Sequence, residues 1–201
     1  MYTPKHFEFE NEAEKIAFMK KYSFATIVTN KAGLPIATQI PFLITQNAGQ
    51  LVLSGHFALA NEQAGYIEEN TSLVIFSEPH AYISPVHYDK MENVPTWNYV
   101  AVHAYGKAKI VEEENAKIKA LESMILFYEP GYLEQWNHLS AKFKKGMARG
   151  IAVFDLEVTD LQGKKKISQN KAEAERQKIA SYLEKSELSS ERAIADLIRK
   201  K

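Results

Sequence analysis

The sequence predicts a mainly β domain with helices, an α+β fold whose strands run antiparallel, and three observations predict it. First, β-branched and aromatic runs of strand length are separated by hairpin-length turns, Lys31-Ala32-Gly33 and Asn47-Ala48-Gly49, with glycine where a positive φ is needed. Second, apolar residues change to helical spacing after Val111 and again near the C-terminus. Third, the stretch from Ser72 to Gly106 carries much of the histidine and aromatic content in one hairpin-like unit. Its two β-rich runs, Leu73–Phe76 and Trp97–Tyr105, are joined by a connection holding Pro79, Pro85 and Pro95. Proline removes a backbone donor and fixes φ, so an ordered loop over a pocket is expected there rather than a buried central strand.

A chain of 201 residues that is 45% hydrophobic has enough apolar material for one core. The expected organisation is a single domain over 1–201 with a helical extension from about residue 171. Lys plus Arg and Asp plus Glu both number 25, so no global field draws the protein to nucleic acid or an anionic membrane. Residues 164–201 nevertheless hold 11 basic against 6 acidic side chains. Cysteine is absent, which removes thiolate catalysis and thiolate metal ligation together. The N-terminal MYTPKHFEFENE has no apolar leader, and no apolar run approaches ~18 residues. A cytoplasmic protein is expected.

In chain order, Asn11 followed by Glu14 signs a helix start, and Ile16 and Met19 give that helix an apolar face. Ser23–Asn30 and Leu34–Thr45 read as two strands of a hairpin, Pro41 marking a bulge or an edge, and Gln50–Ser54 as the next strand. Ala58–Glu69 takes a helix-like pattern directly after Ser54-Gly55-His56, an arrangement that would present free N–H groups to a phosphate. Asn115–Tyr128 is predicted helical from Ile118, Leu121 and Ile125, and Glu129-Pro130-Gly131 ends it. Tyr132–Lys145 is a further helical piece. Gly150–Leu161 alternates as a half-buried strand, GKKK follows, and Lys171–Leu183 and Ser190–Arg199 form two terminal helices. The apolar residues Ala193, Ile194, Leu197 and Ile198 make that pair a packed hairpin rather than a DNA-reading helix-turn-helix.

Four segments, GHFALANEQ (Gly55–Gln63), VIFSEPHAYISP (Val74–Pro85), VPTWNYVAVHAYG (Val94–Gly106) and KISQNK (Lys166–Lys171), resemble the PaiB-type FMN-binding negative transcriptional regulators. The resemblance runs in order along nearly the whole chain. It implies an FMN-binding split barrel, six-stranded and antiparallel, shared with pyridoxamine phosphate oxidases, in a homodimer that holds flavin at its interface. FMN is the implied cofactor. The zero net charge and modestly basic tail predict at most weak DNA contact, and no membrane partner is expected. Three positions depart from the family pattern: Leu59 and Glu62 stand where an arginine and a proline are usual, and His87 where a tryptophan is.

FMN requires donors for its phosphate, polar groups along the ribityl chain and an apolar or aromatic surface for its ring. On and just before the resembling segments, Ser54, His56 and Asn61 are candidates for phosphate or ribityl. Trp97, Asn98 and Tyr99 offer a ring surface and an amide, and Lys166, Ser168, Gln169 and Asn170 are candidates to reach across from a second subunit. No catalytic residue and no metal site is predicted: zinc-protease, nucleophile-elbow, phosphate-loop and dinucleotide motifs are all missing. The six histidines lack close ligand spacing. A regulatory ligand-binding module is the leading reading. A flavin-dependent oxidoreductase and a haem-binding split barrel are the alternatives.

Overall fold

In the computed structural model, which describes residues 1–47 and 49–200, the chain forms two compact units. One comprises Ile16–Ile75 and Ala104–Leu161, the other Met1–Lys15, Phe76–His103 and Gln162–Lys201. The strands are β1 (Phe24–Lys31), β2 (Leu34–Pro41), β3 (Leu43–Asn47), β4 (Gln50–Ala58), β5 (Thr71–Ile83), β6 (Thr96–Ile110) and β7 (Ile151–Lys166). The helices are α1 (Glu12–Lys21), α2 (Glu114–Tyr128), α3 (Leu133–His138), α4 (Ala141–Arg149), α5 (Glu173–Leu183) and α6 (Ser189–Arg199).

The first unit is a barrel. Its strand order is β2-β1-β5-β6-β7-β4-β3, and Phe42 alone joins the two terminal strands of that order. A one-residue connection between opposite ends requires the sheet to roll up. Ile40, Phe42 and Phe154 accordingly converge on Gly55, where a Cβ would lie 3.1–3.3 Å from their side chains. Ile27, Phe42, Ile44, Leu53, Val74 and Phe154 fill the interior at 2% exposure or less.

Local chemistry explains the elements. Asn11 Oδ1 accepts from Glu14 N at 3.0 Å, starting α1 as its cap signature predicts. The β1–β2 register closes with Lys31 opposite Leu34, a two-residue turn in which Ala32 and Gly33 both have positive φ, 49° and 90°. Ala48, in the second predicted turn, lies outside the described residues.

Four expectations change. Seven strands replace six, because Leu34–Thr45 is two strands broken after Pro41, which cannot donate to the ladder. The helix over Ala58–Glu69 does not form: β4 continues to Ala58, and only a 3-10 turn, Glu62–Gly65, follows. Asn61 at φ −75°, ψ 116° accepts from Gln63 N. The Gln63 amide is drawn onto the barrel by Ile27 O and Thr29 Oγ1, at 3.1 and 3.0 Å, and by Thr38 Oγ1 at 2.7 Å. Pro79 lies inside β5 rather than in the connection. The inside-outside alternation slips at Ser77 and Glu78, both exposed, so Pro79 turns inward. Finally, Tyr132–Lys145 is two helices, separated where Ser140 caps α4.

In the second unit, α5 and α6 pack Ile179, Leu183, Ile194 and Ile198 at 1% exposure or less. Each contributes about 1.5–3 kcal/mol of burial, which holds this hairpin down as its apolar pattern predicts. Ser190 Oγ also bonds both the N–H and the C=O of His80, at 2.8 and 2.7 Å. Among the described residues no helix is long and apolar enough to cross a membrane.

Candidate functional site

The candidate site of the second unit is assembled where β7 ends. The chain leaves Lys166 and turns sharply: Ser168 takes φ 62°, and Lys171 N bonds Ser168 O at 3.0 Å. A left-handed serine costs on the order of 1 kcal/mol or more. Its compensation is Asn98 on β6, fully buried, whose Nδ2 donates to Ser168 Oγ at 2.9 Å. Gln169 braces the turn from within, accepting from Ile167 N at 2.6 Å and donating to Lys165 O.

This turn projects Lys166 and Lys171 into one cavity of about 260 Å³, with Asn98, Ser168, Asn170, Thr96 and Asn93 as polar neighbours and Phe7, Tyr88 and Val94 as apolar ones. His6 also borders it, and among the described residues no carboxylate does. Lys166 Nζ donates to Thr96 Oγ1 and lies 5.7 Å from the Phe7 ring centroid. Lys171 Nζ donates to Asn93 Oδ1 at 2.9 Å and sits 3.8 Å over the Tyr88 ring. Neither forms an ion pair among the described residues. Burial pushes the Lys166 ammonium below its ordinary value, with the neighbouring Lys164 charge acting in the same direction against Tyr99. Two unneutralised ammonium groups among amides and hydroxyls, with no acid, form a place for an anion. A phosphate monoester fits that donor set.

Of the sequence-predicted residues, Asn98, Lys166, Ser168 and Asn170 meet in this cavity. Gln169 borders a neighbouring one of about 470 Å³. Trp97 and Tyr99 flank Asn98 on a strand and so point to its other face. Trp97 is 52% exposed against Tyr82, ring centroids 5.7 Å apart, and Tyr99 lies 5.4 Å beneath Lys164 Nζ. The three residues therefore do not form one contact surface. In the barrel unit, Ser54 donates to Asp155 Oδ1 at 2.5 Å, and Asn61 Nδ2 donates to Thr38 Oγ1 at 3.0 Å. His56 lies beneath α2 and α3 beside apolar side chains. With no helix after His56, the helix N-terminus expected to receive a phosphate there is missing. At the three departing positions, Leu59 is 62% exposed, Glu62 pairs with Lys31 at 2.5 Å, and His87 packs against Tyr182 with ring centroids 4.8 Å apart.

Lys171, Asn93 and Thr96 escaped the sequence reading. Lys171 ended a segment already singled out, and its charge was the available signal. Asn93 and Thr96 sit beside Pro95 in a loop whose path no periodicity reveals. Among the described residues, no group of three His, Asp or Glu could hold a metal ion.

The histidines supply a pH test. Burial holds His56, His87 and His103 below the ordinary 6.5, the N-terminal ammonium adding to the effect at His103. Below about pH 6.5 the unfolded chain takes up protons that the folded one refuses. Their contribution is complete above that pH and is lost as pH falls towards the depressed folded values. The melting temperature should drop between pH 7.5 and 5.5, and His56→Leu with His103→Leu should flatten the drop. An unchanged slope in the double variant would count against this account.

The family model described as "Putative FMN-binding domain" matches residues 1–160. Protease synthase and sporulation protein PAI 2 of Bacillus subtilis is 37% identical over 204 aligned residues, covering 100% of this chain and 98% of that protein. The uncharacterized protein YKL070W of Saccharomyces cerevisiae is 29% identical over 138 residues, 57% of this chain and 81% of the other. Among solved structures, the flavocytochrome Anf3 of Azotobacter vinelandii superposes with a TM-score of 0.65 at 17% identity, covering 82% of this chain and 72% of that one. The FAD and heme binding protein of Mycobacterium smegmatis gives 0.59 at 14% identity, with 78% and 71% covered. At these identities the two structures share the fold with this chain.

Proposed function

The chain belongs to the FMN-binding domain family, and from that premise we propose that it is a flavin-binding regulatory protein whose Lys166–Lys171 turn holds the phosphate of FMN. The carrying observation is the acid-free cavity in which two ammonium groups stand without an ion-pair partner among the described residues. At about 260 Å³ it is smaller than the ~300–1,000 Å³ of a pocket for a whole drug-sized ligand, so it accommodates the phosphate and ribityl end and leaves the ring outside. The ring site is then completed by a second copy of the chain. Val86, Met91 and Val94, all exposed in this unit, supply apolar surface suited to that contact.

The full-length relative named for protease synthesis and sporulation supports a regulatory role over a metabolic one. That role does not run through a reading helix on this chain. The buried face of α6 belongs to the unit's core, Arg199 is bound by Glu184 and Gln177, and Arg192 by two backbone carbonyls. Contact with DNA is accordingly weak and collapses with salt.

An absorbance spectrum of protein purified without added cofactor, followed by calorimetric titration with FMN and riboflavin, tests the ligand. A flavin band, or FMN binding at least about tenfold tighter than riboflavin, is the expected result. A Soret band, or no preference for FMN, would refute it. Sedimentation should give a dimer at low micromolar concentration.

A further inference from the structure

We infer that the barrel unit carries a second ligand site, for a small uncharged aromatic molecule with one hydrogen-bonding group, in the cavity between the outer face of β4 and helices α2 and α3. The cavity measures about 280 Å³, and Met124, Ile125, Tyr128, Tyr132 and Trp136 line it with His56. A cavity of about 150 Å³ takes a single benzene ring, so this one has room for a bicyclic aromatic.

Its polar groups specify the rest. The Tyr128 hydroxyl is occupied by Ser23 Oγ at 2.8 Å and Phe42 O at 3.0 Å. The Trp136 indole N–H is occupied by Glu122 Oε1 at 2.9 Å. The His56 imidazole remains: it borders the cavity, and burial favours its neutral form. A neutral imidazole presents one donor and one acceptor, so a ligand bringing one hydrogen-bonding group is favoured. Among the described residues no cation borders the cavity, and the one acid that does, Glu129, is exposed. An anion such as a phosphate ester is therefore disfavoured, which separates this site chemically from the lysine-lined one.

The test is a ¹⁹F NMR titration of the full chain with 5-fluoroindole, which carries a bicyclic ring and one N–H. Saturable binding at one site is expected. Met124→Trp, which fills the cavity, should weaken it by about tenfold or more, and His56→Leu by about three- to tenfold. Leu121→Trp, at a half-buried cavity position, serves as the second filling variant should Met124→Trp not fold. FMN added at saturation should leave the probe bound. Absence of saturable binding to the unmodified chain would overturn the inference, as would unchanged affinity in the filled variants. Displacement of the probe by FMN at the affinity with which FMN binds the protein would also overturn it, by making this cavity the flavin's own.

Discussion

Lys166→Ala should weaken FMN binding by about ten- to a hundredfold, the equivalent of one charge-assisted hydrogen bond of roughly 1.5–3 kcal/mol. Riboflavin affinity should change by no more than about twofold, because riboflavin carries no phosphate for the ammonium to meet. Among the described residues Lys166 has no carboxylate partner to release: it is bonded to Thr96 Oγ1 and faces Phe7. Burial already presses its ammonium below the ordinary lysine value, and a bound dianion relieves that pressure. Lys166→Arg keeps the charge and should recover part of the loss. Lys171→Ala should add to Lys166→Ala, and the combined loss should shrink as salt screens the unmodified protein. Calorimetry on the unmodified protein and the four variants with both ligands checks this. Equal losses for FMN and riboflavin would move the phosphate away from this turn.

What the sequence could reveal divides along a physical line. Signals carried by a few adjacent residues read correctly: the Asn11 cap, the Ala32-Gly33 turn, the spacing of Ile118, Leu121 and Ile125, and the apolar face of the terminal helix. Signals decided by tertiary partners did not. Ala58–Glu69 has a helical pattern, but the Gln63 side chain makes three bonds into the barrel, and those override propensity. The strand break after Pro41 was visible as a proline, yet its consequence, moving β3 to the far end of the strand order, depends on barrel closure. The candidate site shows the same division. KISQNK stood out as a contiguous segment and supplied Lys166, Ser168 and Asn170. Trp97, Asn98 and Tyr99 are adjacent in sequence, but strand alternation separates them. Asn93 and Thr96 join the cavity through a fold that brings together residues some seventy positions apart.

Gly106→Val should cost about 3 kcal/mol or more, the upper range for forcing atoms into a packed interior. Gly106 lies on β6, where a Cβ would sit 2.3 Å from Glu157 O and 2.4 Å from Leu156 Cδ2. The first of these is backbone on the neighbouring strand β7 and cannot rotate away. Relief requires displacing β7 from β6, which breaks ladder hydrogen bonds in the middle of the barrel's strand order. Against a total stability of roughly 5–15 kcal/mol, the variant should melt about 6–12 °C lower for a chain of this size, or fail to accumulate as folded protein. Gly106→Ala should already incur much of this cost, since the first carbon is the one that collides. The control has the opposite sign. Gly146 lies within α4, and a methyl group added there would meet nothing within 4 Å, so Gly146→Ala should stabilise by about 0.5–1 kcal/mol through helix propensity. Thermal melts of the three variants decide it: a Gly106→Ala protein as stable as the parent would mean that β6 and β7 do not approach each other as closely as this glycine allows.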